Sequence, residues 1–536
     1  MTRQQISKLK SILDKETGYT IKHGGFKFAL TYPNFYRVGM SNLGLHIIYQ
    51  LLNNRADTSC ERFFMPENVD EMPLSVETQT PLNRFNVVGF SISFEQDYFN
   101  VVKILKSAKI PVKSNQRTDF DPILIAGGPC ATFNPAPLAS IFDAFVIGEG
   151  EVILPQLMDV LTANKNLSRA DLLQKISEVQ GVYVPAEKNF PVTRQFVKNL
   201  DEYPAHSVII TDDTEFNMYL LETARGCGRH CRFCMAGYCF RRPRNRSLKI
   251  LQKVIDDAKI YGKKFGLMGA AISDYPQINE LCKYILDNGL TMSVASFRAD
   301  SVTAELVDAL AKSGLKTLTI APEVGSEKMR RVTNKGITEE NVFDAVKLGI
   351  SAGIKNFKLY FMIGLPFEDM TDVDAIAELV IKLKNFVSDG KFTLSVNPFI
   401  PKPFTPFQWA AMADKKYLNA ALKNLRGRLK SFRDVEIISE SLKSARVQAI
   451  LSRGDEKLSD LVAQSDSPQK FLELMKSSGI DENFYTRERQ FDEVFAWDVI
   501  NQGVTKNYLW QEYQRAAQFK YTQPCFDGCK RCGVCK

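Results

Sequence analysis

The first third of the chain alternates short apolar runs with stretches in which apolar residues recur every three or four positions. The apolar runs are "FKFALTYP", "VVGFSIS", "ILIAGGP" and "FDAFVIGEGE", and amphipathic segments such as "LGLHIIYQLL" separate them. Near-continuous apolar strands joined by helices are typical of a parallel sheet that is covered on both faces. Residues 1–160 are therefore predicted to form a doubly wound α/β domain, Rossmann- or flavodoxin-like, with ligands at the carboxyl ends of its strands.

Two pairs of glycines stand where predicted strands of this domain end. Gly127 and Gly128 follow "ILIA", and Gly148 and Gly150 follow "AFVI". A missing Cβ lets the backbone approach a ligand closely, which makes Gly127 and Gly128 candidate cofactor-binding residues. Tight turns between strand and helix explain the same glycines equally well, so both interpretations stay open.

A second, more regular alternation occupies residues 216–405. Its six strand candidates are "MYLLETAR", "KFGLMGA", "LTMSVASF", "LKTLTIAPE", "NFKLYFMIGLP" and "FTLSVNPFIP". Five helical segments lie between them, and Thr338 is the predicted N-cap of one, "ITEENVFDAVKLGISAG". Six β/α units are too few for an eight-stranded barrel and suit an open, partial (β/α)6 barrel with its chemistry at the carboxyl ends of the strands.

The remaining segments are less regular. Residues 161–215 are more polar and are predicted to bridge the two domains, and residues 406–536 form a small C-terminal α+β region that ends in a group of cysteines. A chain of 536 residues is long enough for several domains of ordinary size.

Composition and charge indicate the cellular location of the protein, but they leave its function open. The net charge of +8 suits an acidic substrate, a nucleic acid or an ordinary basic enzyme. The start "MTRQQISKLKSILDKE" is typical of an amphipathic helix, not of a signal peptide, and no run of eighteen apolar residues predicts a membrane span. We expect a cytoplasmic protein, in which clustered cysteines bind metal or do chemistry more often than they form disulfides.

Four of the eleven cysteines lie within thirteen residues, directly after the first strand of the predicted barrel. Cys227, Cys231 and Cys234 have the spacing C-x3-C-x2-C, and three thiolates on one tight loop can bind three irons of a [4Fe–4S] cluster. The fourth iron then stays open for a substrate or cofactor. Zinc is the competing interpretation, although structural zinc usually takes four ligands in two separated pairs. Cys239 could supply a fourth thiolate, but its position favours the loop or a pocket wall.

A second group of cysteines lies at the C-terminal end of the sequence. Cys525, Cys529, Cys532 and Cys535 have the spacing C-x3-C-x2-C-x2-C, which resembles the compact run of a bacterial ferredoxin in reversed order. Four thiolates in eleven residues can enclose a second [4Fe–4S] cluster or a structural zinc ion. The iron–sulfur interpretation is favoured because the chain already carries one predicted cluster. A fully ligated cluster favours electron transfer.

The cysteine loop and the strand ends together resemble the radical S-adenosylmethionine (SAM) enzymes. In that family the open iron binds the amino and carboxylate groups of SAM, and an electron from the cluster cleaves SAM to methionine and a 5′-deoxyadenosyl radical. The motifs "GLMGAAISDYP", "ASFRAD", "IAPEVGSE" and "YFMIGLP" extend the resemblance. On the family pattern they imply Gly269 and Ala270 near the SAM amino group, Ser296 and Arg298 toward the methionine carboxylate, Glu323 at the ribose or amine, and Gly364 beneath the adenine. For Glu323, a structural salt bridge is an equal explanation.

The order of the motifs resembles the branch of radical SAM proteins with an N-terminal domain of the cobalamin-binding type. "YPNFYRVGMSNLGLHIIYQLLN", "GGPCATFNPAPLASIFDAFVIGEGE", "ARGCGRHCRFC" and "PFIPKPFTPFQW" carry this resemblance over residues 20–410. The family's cobalt-binding motif D-x-H-x-x-G is absent, and His46 in "LGLHII" is typical of a helix residue at the sheet surface. Either the domain binds cobalamin without a protein ligand, through "SIS" and "GGP", or it keeps the fold and offers its pocket to the substrate.

The resemblance implies an enzyme that modifies an unknown substrate, with cobalamin-dependent methyl transfer as one outcome. A methylthiotransferase-like modification of RNA is the enzymatic alternative, although such enzymes carry their extra cysteines in an N-terminal domain. A non-catalytic iron–sulfur protein for electron transfer is the alternative from a different class. The expected partners are the substrate and a reductant such as flavodoxin or ferredoxin, and no basic surface with interleaved aromatic residues favours nucleic acid. The sequence identifies no catalytic residue.

Overall fold

The computed structural model describes residues 2–203, 205–526 and 528–535 of the chain. The chain divides into two compact units. Unit 1 consists of Met1–Met218, Ile450–Tyr485 and Val494–Gly503, and unit 2 consists of Tyr219–Ala449, Thr486–Glu493 and Val504–Lys536. The region after residue 405 therefore contributes segments to both units.

The strands and helices are numbered here in chain order. The strands are β1 (Phe26–Tyr32), β2 (Thr58–Phe64), β3 (Val87–Ser91), β4 (Ile123–Gly127), β5 (Ala144–Val146), β6 (Val182–Tyr183), β7 (Val192–Thr193), β8 (Met218–Glu222), β9 (Ala224–Arg225), β10 (Arg244–Asn245), β11 (Lys264–Met268), β12 (Met292–Ser293), β13 (Thr317–Glu323), β14 (Asn356–Ile363), β15 (Lys391–Pro398), β16 (Val435–Ile438) and β17 (Ile500–Asn501). The α-helices are α1 (Arg3–Leu13), α2 (Tyr36–Gly39), α3 (Leu43–Asn53), α4 (Tyr98–Ser107), α5 (Pro129–Phe133), α6 (Gly150–Ala163), α7 (Arg169–Ser177), α8 (Ala236–Cys239), α9 (Leu248–Ala258), α10 (Ile278–Asp287), α11 (Ala304–Lys312), α12 (Glu327–Thr333), α13 (Glu339–Ser351), α14 (Met370–Phe386), α15 (Lys415–Leu429), α16 (Leu442–Ser452), α17 (Glu456–Ala463), α18 (Pro468–Ser477), α19 (Glu482–Thr486) and α20 (Lys506–Ala517).

Unit 1 is built on a six-stranded sheet with the order β2-β1-β3-β4-β5-β6. The first five strands are parallel, and β6 pairs antiparallel with β5. Nearly every residue of β1 to β5 is buried, as expected for strands that are covered on both faces. The strand order reverses between β1 and β3. The carboxyl ends of these strands, at Tyr32 and Ser91, therefore flank the topological switch point where doubly wound folds bind ligands.

Helices α3 and α6 cover the sheet of unit 1 with one continuous core. Leu45 and Leu52 of α3 and Leu157 of α6 belong to the same buried cluster as Phe28 of β1. Helix α3 begins at Asn42, whose Oδ1 accepts a hydrogen bond from the backbone N–H of Leu45 at 3.1 Å. The cap residue thus lies in the connection that follows β1, beside the switch point.

The two larger sheets of unit 2 have the strand orders β12-β11-β8 and β13-β14-β15-β16, and β9 and β10 form a separate antiparallel pair. The strands from β13 to β16 are parallel, as are β11 and β12. A parallel bridge between Phe297 and Ile320 connects the segment after β12 to β13. All six predicted strands are present and β16 adds a seventh, so the predicted α/β class is confirmed. Closure into a partial barrel stays a prediction.

The helices of unit 2 begin where the sequence places their caps. Thr338 Oγ1 accepts from the backbone N–H of Asn341 at 3.1 Å, and Asn341 Oδ1 accepts from the backbone N–H of Thr338 at 2.9 Å. This reciprocal capping box starts α13 and confirms the predicted cap. Among the described residues, no helix has the length and apolar content needed to cross a membrane.

Candidate functional site

The three central cysteines lie on the loop between β9 and α8, beyond the carboxyl end of β8. Gly226, directly before the loop, has φ of +81°, and a Cβ there would lie 2.1 Å from the carbonyl oxygen of Phe240. Only glycine fits, so the chain can turn sharply into the loop and pack it against Phe240. The backbone N–H of Cys234 donates to the carbonyl of Cys231 at 3.1 Å, which closes a turn between two of the cysteines.

The thiols of this loop are close enough to repel one another when ionised. Burial, followed by the neighbouring sulfurs of Cys231 and Cys227, raises the pKa of Cys234 to about 12. Burial and the sulfur of Cys231 also raise the pKa of Cys227. A bound metal centre would remove this penalty, because it holds thiols as thiolates and offsets their negative charge.

A single metal ion and a four-iron cluster need different arrangements of thiols. In the described part of the chain, no three cysteine, histidine, aspartate or glutamate side chains converge on the position of one metal ion. A [4Fe–4S] cluster binds each cysteine through a different iron, so its ligands stand further apart than those of zinc. Three thiols on one loop can bind three irons of such a cluster and leave the fourth iron without a ligand from the loop.

Arg229 fastens the cysteine loop to the sheet edge. It lies between Cys227 and Cys231, and its Nη2 pairs with Asp274 at 2.7 Å. Its Nη1 pairs with Asp300 at 3.1 Å. Asp274 follows β11 and Asp300 follows β12, so the two ion pairs hold the loop at the carboxyl ends of these strands. Arg229 was not identified from the sequence. The only feature of the sequence that points to it is its position inside the cysteine motif.

Arg298, a predicted SAM-binding residue, lies beside the cysteine loop. Its Nη1 is 3.7 Å from the sulfur of Cys231, and its Nη2 donates to the carbonyl oxygen of Lys335 at 2.6 Å. Its Nε pairs with Asp300 at 3.0 Å. The guanidinium is thus held in place by two groups while it faces the sulfur, where its charge offsets that of a thiolate ligand.

Glu323, also a predicted SAM-binding residue, forms a buried ion pair at the carboxyl end of β13. Its Oε1 lies 2.9 Å from the Nζ of Lys335, whose side chain is 6% exposed. Glu323 has φ of +69°, a left-handed conformation that is strained for a residue with a Cβ. Such strain occurs at functional sites, but the ion pair with Lys335 also fits a structural salt bridge, so the role of Glu323 stays a prediction.

Lys335 is a candidate site residue that the sequence analysis missed. It stands between Asn334 and Gly336, whose φ values are +52° and +70°. This left-handed turn ends α12, and it brings the backbone of Lys335 to Arg298 and its ammonium group to Glu323. The available signal was the string "TNKG" at a helix end, where Asn and Gly are typical of a C-terminal cap.

The other predicted SAM-binding residues differ in exposure. Gly269 and Ala270 directly follow β11, Ser296 lies between β12 and Arg298, and all three are exposed. Gly364, after β14, is buried, has φ of +77°, and would place a Cβ 2.7 Å from that of Ala413. The conformation and packing at position 364 require glycine even without a ligand. Gly269, Ala270 and Ser296 are accessible to a ligand.

The tail cysteines belong to the same unit as the central loop. They are Cys525, Cys529, Cys532 and Cys535. The backbone N–H of Cys525 donates to the carbonyl of Gly228, inside the loop, at 2.9 Å. Burial raises the pKa of Cys525. Burial acts on Cys529 as well, but the guanidinium of Arg531, whose Nε lies 3.2 Å from the sulfur, outweighs it and lowers the pKa of Cys529.

Cys239 differs from the cysteines of both groups. All eleven cysteines lie among the described residues, and none of them forms a disulfide. Cys239 is fully buried in α8, where its backbone N–H donates to the carbonyl of Met235 at 2.7 Å. Its place inside a packed helical turn fits a core residue better than a fourth cluster ligand.

Unit 1 has a group of polar side chains at its switch point, here called the switch-point cluster: Asn34, Asn42, Ser93 and Asp97. Asn42 Nδ2 donates to Ser93 Oγ at 3.4 Å, and Asn34 Nδ2 donates to Asp97 Oδ1 at 3.1 Å. Burial raises the pKa of Asp97 to about 6. The segment "SIS" was predicted to contact a ligand and ends at Ser93, but the sequence did not identify the asparagines or Asp97.

Gly128 and His46 of unit 1 have structural explanations, whereas packing does not require a glycine at position 127. Gly128 has φ of +89°, and a Cβ there would lie 2.7 Å from the carbonyl of Ile92, whereas a Cβ at Gly127 would meet nothing closer than 3.9 Å. The close approach that Gly128 permits is therefore to the chain's own backbone. His46 is buried, with Nε2 3.0 Å from the carbonyl of Met40 and Nδ1 accepting from the backbone N–H of Val208 at 3.3 Å. Both ring nitrogens are engaged, so this imidazole is not arranged as a metal ligand.

Two family models match the chain, the first within unit 1 and the second within unit 2. The model described as "Radical SAM proteins, N-terminal" matches residues 44–185, and the model of the radical SAM superfamily matches residues 221–380. The second match contains the cysteine loop, Arg298, Glu323 and Lys335. The first match ends before the loop and contains the carboxyl ends of β3 and β4.

Similar proteins agree with these matches. The uncharacterised protein MJ0966 of Methanocaldococcus jannaschii is 32% identical over 88% of this chain and 98% of its own length. An uncharacterised methyltransferase, PH0819, of Pyrococcus horikoshii is 26% identical over 62% of this chain and 71% of its own. The structure of the radical SAM methyltransferase TsrM from Kitasatospora setae, with cobalamin and a [4Fe–4S] cluster bound, aligns over 85% of this chain and 100% of its own, at 12% identity and a TM-score of 0.53. With its three-cysteine loop at the sheet edge, this chain belongs to the radical SAM superfamily of enzymes.

Proposed function

We propose that the protein is a radical SAM methyltransferase that binds cobalamin in unit 1 and methylates an unknown substrate. The observation that carries the radical SAM part is the position of the cysteine loop, with Arg298 3.7 Å from the sulfur of Cys231 at the carboxyl ends of parallel strands. The methyl-transfer part is supported by the relatives, because PH0819 is described as a methyltransferase and TsrM is one that was solved with cobalamin.

Different residues of unit 2 are proposed to bind the cluster and SAM. Cys227, Cys231 and Cys234 would hold the cluster, which when bound supplies the electron that cleaves SAM to methionine and a 5′-deoxyadenosyl radical. Arg298 is a donor-only cation and suits the methionine carboxylate. Glu323 is an acceptor and suits the amino group or the ribose hydroxyls. Lys335 holds that carboxylate in position.

The switch-point cluster is the proposed cobalamin-binding part of unit 1. Its amide and hydroxyl groups, from Asn34, Asn42 and Ser93, suit the hydrogen-bonding amide side chains that surround the corrin ring. His46 is engaged on both ring nitrogens, so we propose binding without a histidine ligand to cobalt. A bound corrinoid would serve as the carrier of the methyl group.

The tail cysteines are proposed to hold a second [4Fe–4S] cluster. Four thiols in one short segment can provide one ligand to each of the four irons, so this cluster would have no open coordination position. Arg531 lowers the pKa of Cys529, which favours the thiolate form that metal binding requires. A closed cluster cannot bind SAM, and its proposed role is to accept an electron from a reducing protein such as flavodoxin or ferredoxin.

The experiment that tests the radical SAM part is anaerobic reconstitution with iron and sulfide, followed by incubation with SAM and dithionite. The enzyme is expected to produce 5′-deoxyadenosine. Cys231→Ala should abolish this product, because it removes one of three cluster ligands, whereas Cys239→Ala is the matched control in the same segment and should retain it. Failure of the fully loaded wild-type protein to cleave SAM would contradict the proposal.

The methyl-transfer part is tested separately. Protein purified anaerobically from cells supplied with cobalamin is expected to show the absorbance bands of a corrinoid. Incubated with SAM labelled in its methyl group and with extract of the source cells, it should transfer label to one component of the extract. If 5′-deoxyadenosine forms but no corrinoid is retained and no label is transferred, the methyltransferase proposal is wrong and the radical SAM assignment is unaffected.

A further inference from the structure

The tail segment and the cysteine loop are joined by backbone and side-chain hydrogen bonds within unit 2. Besides the bond from Cys525 to Gly228, Asn334 Nδ2 lies 3.0 Å from the carbonyl oxygens of both His230 and Thr522. The backbone N–H of Thr522 returns a bond to Asn334 Oδ1 at 2.8 Å. The segment before Cys525 is therefore fixed against the loop that contains His230.

His230 lies inside the C-x3-C-x2-C motif and points its ring toward the tail. The side chain is buried, with Nε2 3.5 Å from the sulfur of Cys525. Nδ1 lies 2.8 Å from the hydroxyl of Tyr508, and Nη2 of Arg241 lies 3.0 Å from Nδ1 and 3.3 Å from Nε2. The ring is thus packed between two polar groups and one tail cysteine.

The sulfur of Cys525 determines which tautomer of His230 can form a hydrogen bond with it. An iron-bound thiolate can only accept, so a bond to Nε2 requires the hydrogen of the neutral imidazole on that nitrogen. Nδ1 then accepts from the hydroxyl of Tyr508, which lies 2.8 Å away. This geometry makes His230 an N–H···S donor to a proposed cluster ligand.

We propose that His230 is a positioning residue of the tail cluster, which donates a hydrogen bond from Nε2 to Cys525 and raises the reduction potential of that cluster. The inference rests on the proposed second [4Fe–4S] cluster. A reduced cluster carries more negative charge on its sulfurs than an oxidised one, so an N–H donor stabilises the reduced form more. Tyr508 acts through His230, because its hydroxyl donates to Nδ1 and so favours the hydrogen on Nε2.

The test is a redox titration of the reconstituted full-length protein, followed by electron paramagnetic resonance. The signal that SAM alters belongs to the cluster with the open iron, and the SAM-insensitive signal belongs to the closed tail cluster. His230→Phe keeps a planar ring without a donor, and we expect it to shift the potential of the SAM-insensitive signal to a more negative value. His230→Gln, which offers an amide N–H at a similar reach, should recover most of this shift.

The control is Tyr238→Phe. The hydroxyl of Tyr238 donates to the backbone carbonyl of His230 at 3.2 Å and makes no bond to a tail sulfur, so its loss should leave the potential unchanged. Tyr508→Phe should give a smaller negative shift than His230→Phe. This variant, together with the wild-type protein in D2O, also tests the proposal if His230→Phe fails to fold. An N–H···S bond predicts an isotope shift of the Fe–S(Cys) Raman bands.

The outcomes separate this inference from the proposed function. A SAM-insensitive signal whose potential is the same in wild type and His230→Phe overturns the role of His230 and leaves the second cluster in place. A strong ¹⁴N coupling typical of direct iron ligation also overturns it, because His230 would then be a ligand. Zinc in the tail, or no SAM-insensitive signal in the loaded wild-type protein, overturns the second cluster and this inference together.

Discussion

The ammonium group of Lys335 lies 2.9 Å from the carboxylate of Glu323, and the backbone carbonyl of the same lysine accepts from Arg298 at 2.6 Å. One residue at the end of α12 therefore positions two residues that the family pattern assigns to SAM. The contacts use different parts of Lys335, so a side-chain substitution disturbs Glu323 and spares the backbone bond to Arg298.

Lys335→Met should weaken SAM binding by roughly 10- to 100-fold, which corresponds to the loss of one charged hydrogen bond. The carboxylate of Glu323 loses its partner and is free to leave the orientation that SAM needs. The measurement is the dissociation constant for SAM in the reconstituted, oxidised protein, where no cleavage interferes.

The matched control is Lys328→Met in α12, the helix that precedes Lys335. Lys328 pairs with Asp369 at 2.8 Å and with Asp372 at 2.5 Å, and its ion pairs do not include Glu323. SAM affinity equal to that of wild type is expected for this variant. An equal loss of affinity in both variants would show that α12 acts through its fold and not through the ion pair.

The carboxyl group of Glu368 makes stability depend on pH. It accepts hydrogen bonds from the backbone N–H of Gly364 at 2.6 Å and from the hydroxyl of Tyr417 at 3.0 Å, and burial raises its pKa to about 7. The folded state therefore holds a proton that the unfolded chain releases at a pKa near 4.5. Stability from this group is present below pH 4.5 and is lost as pH rises toward 7.

Glu368→Gln removes this titration and keeps a neutral acceptor. The wild type should lose roughly 1–3 kcal/mol relative to the variant between pH 4.5 and pH 8, as expected for a pKa shift of this size at a partly buried group. Unfolding midpoints of both proteins across this range provide the measurement. Glu378→Gln, in an exposed pair with Arg428, is the control and should show no such trend. If the unfolding midpoints of the wild type and of Glu368→Gln change in parallel with pH, the pH dependence does not come from Glu368.

The sequence predicted those parts of the protein that depend on local patterns. Apolar runs identified four strands of the unit 1 sheet and six strands of unit 2, but not β2, β6 or β16. The capping residue Thr338 identified the start of α13, and the cysteine spacing identified the loop. Each of these signals lies within about twenty residues, where periodicity and cap chemistry act directly.

The contacts between distant segments could not be predicted in the same way. Nothing near Lys335 indicates that it meets Glu323, because their separation is set by α12 and by the left-handed turn at Asn334. The bond from Cys525 to Gly228 joins opposite parts of the sequence of unit 2. For Gly128, the alternative of a tight turn was stated, but only the position of Ile92 shows what the glycine accommodates.

The buried ion pairs of Arg62 make unit 1 sensitive to one substitution. Arg62 on β2 pairs with Glu16 at 2.6 Å and with Glu77 at 2.7 Å, and all three side chains are 0% exposed. Arg62→Met leaves two buried carboxylates without a cation and should cost about 3–5 kcal/mol of unfolding free energy at pH 7.5. Urea unfolding followed by circular dichroism measures the loss.

The comparison for this variant is Arg55→Met. Arg55 pairs with Asp57 and Asp159, whose carboxylates are largely exposed, so the loss should stay below about 1 kcal/mol. Because protonation neutralises the carboxylates that Arg62→Met leaves behind, its deficit should shrink at pH 5. Equal losses for both variants would argue that burial does not strengthen the pairing of Arg62.

Removal of one cysteine from each group should have different effects on SAM cleavage and on iron content. Cys231→Ala should abolish SAM cleavage with any reductant, because the loop then has too few ligands for the cluster. Cys532→Ala should lower the iron content from about eight to about four atoms per chain, since one four-iron cluster is lost. It should retain cleavage driven by dithionite, which is small enough to reduce the loop cluster directly.

Turnover with a protein reductant distinguishes a relay from a structural tail. If the tail cluster receives the electron, Cys532→Ala should lose most activity with reduced flavodoxin or ferredoxin while it keeps the dithionite-driven reaction. Cys282→Ala, a buried cysteine of α10 outside both groups, should behave as wild type with either reductant. Loss of both reactions in Cys532→Ala would mean that the tail supports the loop mechanically, through bonds such as that between Cys525 and Gly228, and does not carry electrons.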